Sequence, residues 1–136
     1  EGLADGTIDI VATDHAPHPS ESKECEWQYA AFGMLGLETA LSIVWQTMIE
    51  SKLMDISTLQ ARMSTKPAEI GRYHSQGKPL TQGSPANLTL FAPNKSWKVD
   101  RDLVASKSKN TPFHGMQFGG SVVATYFEGR ESWRLK

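Results

Sequence analysis

The sequence holds a single cysteine, Cys25, in 136 residues. An intrachain disulfide and a cysteine-based zinc cluster are thereby excluded, which fits a reducing cytosol. Cys25 has little support as a nucleophile, because Glu24 and Glu26 flank it and disfavour a thiolate; it reads as a packing or loop residue. No apolar run approaches the about 20 residues needed to cross a bilayer, and no stretch resembles a signal peptide. No membrane partner is expected, and the location expected is cytoplasmic. There is no basic excess either, since 14 Lys and Arg stand against 15 Asp and Glu for a formal net charge of -1. That balance argues against a polyanion-binding surface, so nucleic acid is not expected as a partner and a small molecule is. Internal repeats and low-complexity segments are absent. The basic stretch 106–113 lacks the glycine spacing of a phosphate loop and reads as a solvated loop.

What is present is a 39% hydrophobic content, enough for one modest core. The stretch that most needs a chemical explanation is Ala12-Thr13-Asp14-His15-Ala16-Pro17-His18, with one carboxylate and two imidazoles within five residues. The run before it, Ile8-Asp9-Ile10-Val11-Ala12, is short and β-branched, follows Asp5-Gly6, and reads as a buried strand. Asp14 then falls at a strand's carboxyl end, where catalytic groups gather in parallel α/β architectures. Pro17 keeps Ala16 out of helical geometry and stiffens the loop. An Asp-His pair alone also reads as a cap followed by a solvent-facing histidine; the longer pattern favours half of an active site. It is not a sufficient metal site, because three or four ligands are needed and the others must come from elsewhere. The first residue is Glu1, and a core strand with no preceding partner implies that upstream chain is missing.

Downstream, residues 19–29 form a polar loop of a length that is often functional. Gly33 and Gly36, three apart, allow close backbone approach or positive φ, and their spacing fits a plain helix lead-in equally well. Leu37, Leu41, Val44, Trp45 and Met48 keep helical spacing, predicting an amphipathic helix over 37–51. A second helix is expected from Ser57, whose spacing to Gln60 matches a capping box, with Leu59 and Met63 buried. Thr65-Lys66-Pro67 reads as a fresh helix start, and His74 as a surface residue. After Gly77 the chain turns mostly β: 87–91, 97–99 and 122–127 read as strands, the last leading through Glu128-Gly129-Arg130 into a hairpin.

Several of these pieces resemble the dihydroorotases of the amidohydrolase superfamily, particularly the C-terminal part of the bacterial monofunctional type. The residues that carry the resemblance are 1–9 leading into Asp14-His15-Ala16-Pro17-His18, then Phe32-Gly33-Met34-Leu35-Gly36-Leu37-Glu38-Thr39. Ser64-Thr65-Lys66-Pro67-Ala68, Gly83-Ser84-Pro85-Ala86-Asn87-Leu88 and Ser108-Lys109-Asn110-Thr111-Pro112-Phe113 resemble its closing segments. The resemblance implies an α/β fold: the C-terminal end of a (β/α)8 TIM-type barrel over 1–76, followed over 77–136 by part of a small β-sandwich domain. It implies reversible hydrolysis of the cyclic amide of dihydroorotate to N-carbamoyl-aspartate in pyrimidine synthesis, with two zinc ions as cofactors.

By the same resemblance, Asp14 matches the catalytic carboxylate, which binds one zinc and shuttles a proton to the leaving ring nitrogen. His18 matches a residue holding the substrate carboxylate, and the backbone near Phe32 and Gly33 a loop contacting the ring. His15 matches a supporting group beside Asp14 rather than a metal ligand. A homodimer and an association with aspartate carbamoyltransferase are the protein partners that this family resemblance brings into view. The chain departs from the family pattern at Ala31, where a proline often stands, and lacks the His-x-His pair, the carboxylated lysine and the two further metal histidines. Alone it is expected to be inactive. Competing readings are another cyclic amidohydrolase, such as an allantoinase or a hydantoinase, a non-catalytic scaffold for the carbamoyltransferase, and an independent binding module.

Overall fold

The computed structural model describes residues 1–135. Its helical part grows out of the apolar spacing between residues 41 and 63. Helix α2 (Ala40–Val44) widens into a π-helical turn over Trp45–Glu50, and α3 (Ile56–Gln60) runs through a second π-helical turn, Ala61–Thr65, into α4 (Lys66–Ile70). A short α1 (Gly2–Asp5) precedes them. Val44, Trp45, Met54 and Leu59 are buried together, with Leu3, Val11, Leu41, Met48, Ile49, Met63 and Phe91 packed around them.

The β part holds two antiparallel sheets. Strand β4 (Ser121–Phe127) lies between β1 (Leu88–Ala92) and β5 (Arg130–Arg134), while β2 (Trp97–Lys98) pairs with β3 (Gln117–Phe118). The expected hairpin closes with Phe127 opposite Arg130, across Glu128 and Gly129, both at positive φ. Two such residues twist in the sense that two strands joined by a tight turn require. Trp45 and Phe91 meet with ring centroids 4.9 Å apart and tie the helices to β1. A buried hydroxyl makes a second tie: Ser42 Oγ donates to Gly120 O at 3.0 Å and accepts from Trp97 Nε1 at 3.0 Å. Val99, expected in a strand, is fully buried just beyond β2.

Five sequence expectations are corrected here. Residues 8–12 are not a buried strand: Ile8 is 53% exposed, and this segment joins no sheet among the described residues. Its main tie is the Val11 N–H donating to Arg62 O at 3.2 Å, so an apolar β-branched run lacks the neighbouring strand that its pattern calls for. Helix α2 starts at Ala40 rather than 37, and Leu37 is 65% exposed, because residues 37–39 make a turn after the closely packed Gly36. The Ser57 capping box does not form. Asp55 caps α3 instead, its extended backbone letting Oδ1 accept the Thr58 N–H at 2.7 Å. Pro67 begins no separate helix, since α4 continues directly from the widened turn, where the regular carbonyl pairing is already broken. The loop 106–113 is largely half-buried rather than solvated.

His74 is exposed, as expected. The Thr58 backbone N–H holds the Asp55 carboxyl below the ordinary 3.8 of an aspartate. A depressed carboxyl contributes stability above its ordinary value and loses it as pH falls through the folded one. The melting temperature of Asp55→Ala should therefore lie below that of the natural protein at neutral pH, with the gap closing at acid pH below about 4. A gap independent of pH in thermal melts would remove the charge from the cap's contribution.

Candidate functional site

Residues 14–18 and 31–36 run side by side. His15 and Met34 form an isolated parallel bridge, and the Ala16 N–H donates to Met34 O at 3.0 Å. The Gly36 N–H donates to His15 Nδ1 at 3.1 Å, so neutral His15 carries its proton on Nε2 and only that nitrogen stays available. Asp14 is exposed and sits at φ 44°, a left-handed backbone that Asp tolerates better than most residues. Gly33 has φ 105°, and a Cβ there would collide with the Ala16 side chain, so glycine is required on both counts. A Cβ on Gly36 would lie 3.1 Å from Thr13 O, which makes this the close approach that the glycine pair suggested.

The loop between the two segments is pinned at its base. Lys23 Nζ donates to Ala31 O at 2.6 Å and to Gly33 O at 3.0 Å, and the Ala31 N–H donates to Ser22 O at 2.9 Å. Trp27 of the loop and Phe32, between the two pinned carbonyls, present their rings to solvent at 94% and 95% exposure.

A cavity of about 720 Å³ opens against this pair of segments. His18, Lys23, Gly33 and Met34 line one side; Arg101, Asp102, Lys109, Asn110 and Thr111 line another. Lys23, Arg101 and Lys109 set three cations against the two carboxylates of Glu24 and Asp102, which favours an anionic small molecule over a neutral one. The structure thus brings His18 and Gly33 together, and sets His15 and Asp14 on the same stretch as His18. Phe32 lies next to Gly33 with its ring in solvent.

Asn110 joins this site from a loop that its composition marks only as basic and polar. Its Nδ2 donates to Ala16 O at 2.9 Å and to Gly33 O at 3.4 Å, and its Oδ1 accepts the His18 N–H at 3.2 Å. These bonds draw the 106–113 loop onto the site and account for its burial. In the sequence its one signal is membership of the segment 108–113 that resembles the dihydroorotases.

Among the described residues no three His, Cys, Asp or Glu side chains converge to hold a metal ion. Asp14 offers one carboxylate, and zinc needs three or four donors, so these residues do not by themselves fit a zinc centre.

No protein-family model matches the chain. A dihydroorotase from Streptomyces coelicolor is 53% identical over 130 residues, covering 96% of this chain and 30% of the relative. A dihydroorotase from Mycobacterium tuberculosis is 47% identical over 134 residues, covering 98% of this chain and 31% of the relative. The chain belongs to the dihydroorotase family. It spans about 30% of the length of these dihydroorotases. Among solved structures, an L-hydantoinase (dihydropyrimidinase) from Arthrobacter aurescens matches with a TM-score of 0.89 at 34% identity, over 98% of this chain and 30% of that one. A D-hydantoinase from Thermus sp. matches with a TM-score of 0.86 at 23% identity, over the same shares, and shows the fold alone. Hydantoinases and this dihydroorotase-family chain thus share an α/β arrangement. No helix among the described residues is long and apolar enough to cross a membrane.

Proposed function

We propose that the protein carrying this chain is a dihydroorotase, opening the cyclic amide of dihydroorotate reversibly to N-carbamoyl-aspartate in pyrimidine synthesis. The observation that carries this reading is the cation-rich cavity with His18 on its wall beside Gly33, together with the homologous dihydroorotases. Dihydroorotate is a six-membered cyclic amide bearing one carboxylate on a saturated ring carbon. His18 meets that carboxylate, and the backbone at Phe32 and Gly33 lies along the ring, its place set by the close approach to Ala16 that the missing Cβ of Gly33 permits. Asp14 accepts a proton from the attacking water as its oxygen bonds to the ring carbonyl carbon, then returns it to the ring nitrogen as the C–N bond breaks. His15, held through Nδ1 by the Gly36 N–H, steadies the backbone beside Asp14.

In this reading Asp14 is one ligand of the two-zinc centre that the family resemblance implies, with the remaining donors outside this chain. Residues 1–76 form the end of the hydrolase barrel and 77–136 part of the smaller β domain. The protein is cytoplasmic, and its partners are a second copy and aspartate carbamoyltransferase.

The test is ring opening of dihydroorotate by the natural protein, with hydantoin and allantoin run beside it. Preferential turnover of dihydroorotate supports the reading; preferential turnover of either other ring moves it to another cyclic amidohydrolase. His18→Ala is expected to raise KM for dihydroorotate about 10- to 100-fold with a smaller change in kcat, because it removes a charge-assisted contact made before and during the reaction. An unchanged KM in steady-state assays would take His18 away from the carboxylate.

A further inference from the structure

We infer that Asn110 is a positioning residue of this site, whose carboxamide sets the backbone bearing His18 against the backbone bearing Gly33. The inference deepens the proposed function and rests on it for the role of His18. Backbone pairing between the two segments runs through His15, Ala16 and Met34. Pro17 has no N–H and cannot extend it. The next N–H along the chain is that of His18, and Asn110 Oδ1 accepts it at 3.2 Å. The other end of the same amide reaches both segments at once, Nδ2 donating to Ala16 O and to Gly33 O at 2.9 and 3.4 Å. The Asn110 carbonyl also accepts the Leu35 N–H at 3.1 Å, so the tie has a backbone arm as well.

Only a primary amide suits this place. One planar group must donate twice on one side and accept on the other, and turning it over would set oxygen against two carbonyl oxygens. An aspartate would keep the acceptor and lose both donors. A serine hydroxyl is too short to span the same partners. Asn110 lines the same cavity as His18 and Gly33, yet the atoms it binds belong to backbone; it acts on a ligand through them.

The experiment is a double-mutant cycle in the natural protein, with Asn110→Ala, His18→Ala and the pair, together with amide hydrogen exchange at His18. For dihydroorotate, Asn110→Ala should raise KM about tenfold with kcat changed less than about threefold. The pair should match His18→Ala to within about threefold, because both changes act through one contact. Exchange of the His18 amide should quicken at least about tenfold in Asn110→Ala and stay slow in Asn110→Asp, which keeps the acceptor. A loosening without positional meaning predicts instead that the two KM effects multiply and that both variants exchange alike; either result overturns the proposal, as does an unmoved KM. If dihydroorotate is not the ring turned over, the proposed function falls, while the exchange order of the two Asn110 variants still decides this inference. Asn110→Ser carries the same measurements should the alanine variant not fold.

Discussion

Asp14→Asn is expected to lower turnover of dihydroorotate by about 10²- to 10⁴-fold, the range that a positioned proton-transfer group contributes. The substitution keeps the shape of the side chain and removes its capacity to take and return a proton. It should leave folding nearly untouched for two reasons. Asp14 is exposed, and its left-handed backbone at φ 44° is one that Asn adopts as readily as Asp. Lost turnover with an unchanged melting temperature would therefore locate the effect in chemistry. Turnover close to that of the natural protein, measured at saturating substrate, would remove Asp14 from the mechanism.

The second large effect is on stability. Trp45→Ala is expected to cost about 3–5 kcal/mol, as removal of a large buried aromatic does. Trp45 is 9% exposed, belongs to the central cluster with Val44, Met54 and Leu59, and touches Phe91 of β1. One ring thus fills space shared by the helices and the sheet, and neither side can collapse alone into the cavity left behind. A chemical denaturation midpoint that barely moves would show that the helical part and β1 are not joined through this contact. Trp45→Phe keeps an aromatic ring against Phe91 and should lose less.

What could be read from the sequence follows from how far each interaction reaches along the chain. Leu41, Val44, Trp45 and Met48 announce a buried helical face because its period is local, and 122–127 with Glu128-Gly129 announce a hairpin for the same reason. The π-helical turns at Trp45–Glu50 and Ala61–Thr65 leave the apolar spacing almost unchanged and so stayed hidden. Ser57 and Asp55 compete for one cap, and sequence spacing does not record which backbone is extended at the helix start. Residues 8–12 carry a strand's composition, but whether such a run enters a sheet depends on the neighbour beside it. At the site, the chemical character of Asp14, His15 and His18 stands out within five residues. The partner that binds two of their neighbours' carbonyls and one of their amides is a half-buried asparagine in a loop that is basic and polar by composition. No periodicity leads to it.

That distance has a consequence in time. The His18 amide and the Asn110 side chain are 92 positions apart. A ribosome adding about 5–20 residues each second needs roughly 5 to 20 seconds to go from one to the other. During that interval the segments around His18 and Gly33 are already made, while the side chain that joins them has yet to be synthesised. A nascent chain arrested before residue 110 carries every side chain singled out in residues 14–33 and lacks the amide that spans them, so the tie between the two segments forms only once residue 110 has been added.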